Sequence, residues 1–429
     1  MTQRKLTAPD ARCESDGHWH RAPGLRGEFM TKHVFTRLAW AGSMALVLAA
    51  AVPTLAASSV EPEQSDVATL KPNGPHRFFT IGFGDLSFGI FDADSGKLEG
   101  SIPAGYAPNL AIAPDNSQFL VSETYWAHGS RGKREDLVSI WDAKTLKLVK
   151  EITLPGRALV VGKLQDFQLS ADGSKAYVYI MRPASSVVWL DLKKQAVGGT
   201  VELPGCALIF PWGNSSFGSL CGDGSLAMVN LDAAGKADVT HTKPFFDANN
   251  DPIYENSLID RNTGKALFLS YTGLVYPAKL GSDPAIDKPW SIQQAAGFAP
   301  AGTGVQELAW RPGGDQPAAY HKASGRLFVL MHMGTYWTHK QGGTEVWVLD
   351  TNTRKLLKRI PLQPLPTSGL AGDHAPYYAT IGVSQDAEKP LIYLVSNEGG
   401  GDVVLDAGTG ETLRKVEFAG GDSLLVTGN

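Results

Sequence analysis

The chain has 429 residues, 43% of them hydrophobic and 19% charged, with 47 Gly and 26 Pro spread along its length. No composition shift marks a domain boundary behind the front segment, and a large all-β repeat structure takes this many residues as one domain. The net charge is −4, and −7 once residues 1–56 are set aside, which removes seven of 39 basic and four of 43 acidic side chains. That balance gives nucleic acid no footing as a partner.

The front segment reads as a targeting signal. Leu38–Ala51 (LAWAGSMALVLAAA) is a short apolar run behind Lys32, His33 and Arg37, and Val52–Ala56 places small residues ahead of a cut after Ala56. The run is too short for a transmembrane anchor and is broken by Pro53. Residues 1–56 are therefore expected to be a cleaved signal peptide whose true start is Met30, which sets aside Cys13, His18 and His20. Residues 57–74 are expected to form a flexible mature N-terminus, and residues 75–429 the folded domain.

Behind it one unit recurs, and Val138–Pro155 (VSIWDAKTLKLVKEITLP) shows it best. Apolar residues alternate up to Trp141-Asp142, a polar turn follows, and a second alternating run from Leu148 to Leu154 closes on Pro155. Period-two alternation on both sides of a polar turn is a β-hairpin with one buried face. Phe88–Ile102, Val187–Pro204, Leu226–Thr240, Leu274–Pro284, Val346–Leu362 and Asp402–Phe418 repeat it, the copy at Leu274 being degenerate. Asp92, Asp142 and Asp191 mark the first three copies at intervals of 50 and 49 residues, the period range of propeller blades.

A second hairpin precedes most copies. Leu110–Ala113 leads through Pro114–Ser117 to Phe119–Val121, and Phe167–Ser170 leads through Asp172-Gly173 to Ala176–Ile180. Similar pairs surround Asn262–Gly264, Ser324-Gly325 and Gln385-Asp386, where turn residues tolerate positive φ. Two hairpins per repeat make one four-stranded blade. The expectation is an all-β, seven-bladed propeller of antiparallel blades, with insertions around Pro284–Thr303 and Gly334–Gly343. The apolar tail Asp422–Val426 is expected to pair with the front strand and close the ring.

Signatures of chemistry are scarce. There is no G-x-S-x-G elbow, no H-E-x-x-H, no phosphate loop and no C-x-x-C. Asp247, Asp251 and Glu255 lack the order of a calcium loop and read as a solvated turn. His332, His339 and His374 lack carboxylates at metal-ligand spacing and read as separate structural histidines, so no metal is expected. Trp141, Trp189 and Trp347 hold equivalent blade positions and read as packing, whereas Trp126 and Trp337 lie in irregular stretches suited to a partner surface. Cys206 and Cys221 form an even pair in an exported chain, read as one disulfide, with two buried thiols as the alternative.

Several stretches resemble the heavy chains of methylamine dehydrogenase and aromatic amine dehydrogenase. They are Arg131–Asp142 (RGKREDLVSIWD), Gly205–Leu231 (GCALIFPWGNSSFGSLCGDGSLAMVNL), Trp310–Gly314 (WRPGG), Ala319–His332 (AYHKASGRLFVLMH), His339-Lys340 and Ser384–Ser396 (SQDAEKPLIYLVS). The similarity runs from about Pro75 to the end. It implies a seven-bladed propeller, a Cys206–Cys221 bridge, and a periplasmic enzyme of two heavy and two light subunits. In that family the tryptophan tryptophylquinone and the catalytic base belong to the light chain, so no cofactor and no catalytic residue are expected here. Electrons pass to a copper protein of the amicyanin or azurin type, and neither nucleic acid nor membrane is an expected partner. The substrate expectation is methylamine or another small primary amine, with an aromatic amine as the alternative. Phe83, beside the position where the methylamine enzymes place a channel phenylalanine, is the expected channel-lining residue, with a blade-core aromatic as the other reading. A self-sufficient propeller enzyme needs carboxylates and histidines in register around the axis, and no repeat supplies them. A binding propeller without redox chemistry is the remaining alternative.

Overall fold

The computed structural model describes residues 69–81, 86–158, 161–365, 377–396, 401–416 and 419–428. They form seven antiparallel sheets in a ring, with a single helical turn of four residues, Ile292–Ala295, and two short 3-10 turns. Blade 2 shows the plan: Tyr106–Ile112, Gln118–His128, Arg131–Asp142 and Leu148–Thr153 pair in sequence order. In blades 3 and 6 the innermost position is shared by two short segments, Arg157–Ala158 with Phe167–Leu169 and Ala309–Pro312 with Ala318–His321. The outermost position of blade 5 is likewise split between Ala285–Ile286 and Trp290–Ser291.

The ring closes as expected. Ser423–Val426 pairs with Arg77–Ile81 in the register Phe79↔Leu425 and Thr80↔Leu424, so blade 1 is built from both ends of the propeller. The folded part begins ahead of the expected boundary at 75. Leu70 is buried in the cluster with Phe79 and Phe119, and its N–H donates to Lys144 O at 2.8 Å.

The recurring aspartate has a local cause. Asp142 Oδ1 accepts the N–H groups of Lys144 and Thr145, Asp191 those of Lys193 and Lys194, and Asp350 those of Asn352 and Thr353. Each carboxylate caps the turn it opens, a job for a short acceptor side chain. The fourth residue after these aspartates, and after Asp92 and Asp406 at the same position, is left-handed whether or not it is glycine: φ is 53° at Leu146, 50° at Gln195, 55° at Arg354, 72° at Gly96 and 76° at Gly410.

Alternating strands then do the rest. Apolar faces of neighbouring blades meet in seven separate clusters, one per interface, the last joining Phe78 and Phe91 of blade 1 to Leu391, Tyr393 and Val404 of blade 7. First strands line the axis: Leu110–Ile112, Leu258, Ala318 and Val383 border a central cavity of about 200 Å³.

Candidate functional site

Antiparallel order sorts the connections onto two faces. First-to-second and third-to-fourth turns share one face, and these are the tight, aspartate-capped ones. The opposite face receives the second-to-third turns and all connections between blades, including residues 242–257, 292–308 and 335–344. Both insertions expected from the sequence belong to blades 5 and 6, and the 242–257 connection was not foreseen.

Exposed apolar residues follow the same division. Among the described residues, the large ones lie on outermost strands, as Leu98, Leu148 and Leu413 do, or on the connection face, and none on the turn face. The connection face carries Leu86, Tyr106, Tyr125, Val161, Phe298, Val305, Leu308, Met333 and Trp337, with Leu308 67% and Trp337 62% exposed. Where such residues join into a contiguous patch, they suit a surface that meets a partner.

The axial channel opens on this face through a cavity of about 150 Å³, bordered by Ile81, Pro108, Val161, Lys163, Glu255, Asn256, Asp315 and Lys340. Glu255 Oε1 lies 2.5 Å from Lys163 Nζ and Glu255 Oε2 3.7 Å from Lys340 Nζ; Lys340 is also 3.6 Å from Asp315. Burial raises the Glu255 pKa, but Lys163 and Lys340 outweigh it and hold the carboxyl below its usual range. Side-chain amides fix the surrounding backbone. Asn256 accepts from Leu164 N at 3.1 Å and donates to Asp315 O at 2.9 Å, and Gln165 Nε2 donates to Ser257 O at 2.7 Å.

Beside the mouth, in the turn Leu164–Asp166, lies Asp166, 3% exposed. Neither of its oxygens receives a hydrogen bond among the described residues. Burial pushes its pKa up to about 7, with Lys163 opposing and Glu255 adding to the shift. His339 stacks on Tyr271 at 4.1 Å. Burial and Lys340 hold its pKa down, against Glu255.

The structure joins Cys206 and Cys221, which face each other across the first strand pair of blade 4. Their sulfurs and His241 form the only potential metal-ligand group among the described residues, and bridged sulfurs are not free to ligate. Asp247, Asp251 and Glu255 do not converge. Asp247 caps Asn249 and Asn250, buried Asp251 accepts from Thr272, and Glu255 serves the lysines. His332 is fully buried, bonded to Thr338 at 2.7 Å, and pushed down to about 4 by burial and Arg311. Phe83 and His374 lie outside the described residues, although Ile81, two residues before Phe83, borders the channel mouth. Trp347 and Trp189 are buried as expected, whereas Trp141 is only partly so. Trp126 and Trp337 are both on the connection face; Trp126 packs edge-on to Tyr106 at 5.4 Å. Sequence reading missed Lys163, Asp166 and Asp315, which sit in connections without periodicity.

The fold and the site define a propeller with one elaborated face, which combines exposed apolar residues with a charge-lined channel mouth. This chain belongs to the methylamine dehydrogenase heavy chain family, whose model matches residues 77–428. The methylamine dehydrogenase heavy chain of Methylobacillus flagellatus is 30% identical over 77% of this chain and 78% of its own. That of Methylophilus methylotrophus is 29% identical over 88% and 90%. Among solved structures, dihydro-heme d1 dehydrogenase NirN matches with a TM-score of 0.53 at 14% identity, over 84% of this chain and 77% of its own, a likeness of fold alone.

Proposed function

We propose that this chain is the large, non-catalytic subunit of an exported, quinone-dependent amine dehydrogenase. The signal at residues 1–56 sends it to the periplasm, where two copies assemble with two light chains. The observation that carries this reading is the family match across residues 77–428, joined to an apolar connection face on a propeller. The substrate is a small primary amine, methylamine first, oxidised to an aldehyde and ammonia. Electrons leave to a blue copper protein of the amicyanin or azurin type.

The tryptophan tryptophylquinone that takes up those electrons belongs to the light chain. This reading assigns Trp141 and Trp347 to packing: they donate their indole N–H to Ser139 and Glu345 and pack between blades. What this chain contributes is surface. Its connection face binds the light chain, excludes water from the shared site, and sets a charged channel mouth behind it.

The test is affinity purification of the tagged chain from periplasm of cells grown on methylamine. A coloured complex with a small cysteine-rich chain that reduces a dye on adding methylamine supports the reading, and activity with phenethylamine instead moves the substrate to aromatic amines. A colourless chain that elutes alone overturns it in favour of a binding propeller.

A further inference from the structure

One hairpin is built beyond the needs of its blade. Gln118–His128 and Arg131–Asp142 have 11 and 12 residues, while every other described strand has nine or fewer. Flanking strands stop short: the inner neighbour last pairs at Tyr106↔Thr124, the outer one at Leu137↔Thr153. Beyond these points the pair continues through Tyr125↔Glu135, Trp126↔Arg134 and His128↔Arg131 as a two-stranded ribbon with both edges unpaired among the described residues. A lone ribbon of this kind is marginal in water.

Among the described residues, the ribbon packs on nothing at its end. Residues 127–133 are all exposed, a side chain added at Gly129 would meet no atom, and one at Gly132 would meet only the ribbon's own Ala127 and His128. The tip concentrates His128, Arg131 and Lys133, and cross-strand pairing sets His128 directly opposite Arg131. The base, by contrast, is firmly set. Arg134 bonds Asp136 at 2.7 Å, reaches Ala158 O at 3.0 Å and lies 5.2 Å from the Trp126 ring. Tyr106 meets the same ring, and Tyr125 donates to Glu123 at 2.9 Å.

We propose that residues 124–136 form an arm that grips the light chain, its cationic tip meeting an acidic patch and its Tyr106, Tyr125 and Trp126 base supplying apolar contact. This rests on the subunit reading above. The arm rises on the same face as the exposed apolar residues around the channel mouth, so its base continues that surface. A rigid aromatic base with a charged tip gives both anchoring and steering.

The test compares the wild-type chain with R131E/K133E, R131Q/K133Q and Trp126→Ala, each expressed with the light chain. Dissociation of the heavy–light complex is measured by sedimentation at low and high salt, alongside electron transfer to the copper protein. The tip residues are exposed, so the two charge variants are expected to melt like the parent, whereas Trp126→Ala, which loses its contacts with Tyr106 and Arg134, is expected to melt somewhat lower while remaining folded. Charge reversal is expected to weaken light-chain binding about tenfold or more at low salt, with the gap closing in high salt and the glutamine pair falling between. Trp126→Ala is expected to weaken it at both. Unchanged light-chain binding overturns the proposal, whether the variants slow transfer to the copper protein, dissociate heavy chains from one another, or do neither. A wild-type chain that binds no light chain removes the subunit reading itself, and the arm's role with it.

Discussion

Gln316 and Leu424, 108 residues apart, are joined by two hydrogen bonds between the side chain of one and the backbone of the other: Leu424 N–H donates to Gln316 Oε1 at 3.1 Å, and Gln316 Nε2 donates to Leu424 O at 3.0 Å. The same amide nitrogen also reaches Ile381 O at 3.0 Å, and Gln316 is buried. One side chain thus ties the inner edge of blade 6, the first strand of blade 7 and the closing strand of blade 1.

Removing that amide leaves a buried N–H and two carbonyls without a partner. Gln316→Ala is expected to cost about 2–3 kcal/mol, the scale for orphaned buried polar groups. Urea midpoints of the two proteins check this. A loss under about 0.5 kcal/mol, the size of an ordinary surface change, would show that channel water replaces the bonds.

Gln195 holds a left-handed backbone (φ 50°) at the turn position that Gly96 and Gly410 fill elsewhere in the ring. Gln195→Gly is expected to raise stability by about 0.5–1 kcal/mol, because relief of the side-chain clash exceeds the added chain entropy. A lower midpoint for the variant refutes this.

Asp166 gives a signed pH dependence. Its folded pKa of about 7 lies above the unfolded value near 3.9. The native state therefore holds the proton more tightly. Its contribution is full below about pH 4 and is lost as pH rises through 7. Asp166→Asn is expected to match the parent at low pH and exceed it at pH 8 by on the order of 2–4 kcal/mol. His332, held near 4, works oppositely: its share is full above the unfolded value of about 6.5 and is lost as pH falls through 4. The difference between variant and parent is therefore the quantity to follow. A difference independent of pH refutes the assignment to Asp166.

Trp337, at 62% exposure, tests the connection face without testing the fold. Trp337→Ala is expected to leave the melting temperature within about a degree, while weakening light-chain binding by about tenfold, as loss of an aromatic anchor does. Equal affinity for the two proteins places Trp337 outside the interface.

Blade count was readable because its causes are local. Alternation at Leu148–Leu154 marks a strand wherever it lies, and Asp142 bonds its own turn, so the aspartate recurs with the hairpin. The Cys206–Cys221 bridge was legible as an even cysteine pair in an exported chain and from the family resemblance, and the structure sets the two at directly opposed positions of one hairpin. Split inner strands in blades 3 and 6 did not follow, because a segment as short as Arg157–Ala158 carries no period. Trp141 and Trp347 look alike in sequence, yet exposure separates them because it depends on the neighbouring blade.

Alternation, capped turns and repeat spacing, all properties of a few consecutive residues, were sufficient to specify seven blades and their order. The channel mouth was beyond their reach. Lys163, Glu255, Asp315 and Lys340 come from four separate connections, and they meet only because closing the ring brings those connections to one axis. Charge pairing across such separations is a product of ring geometry, and no local pattern in the chain encodes it.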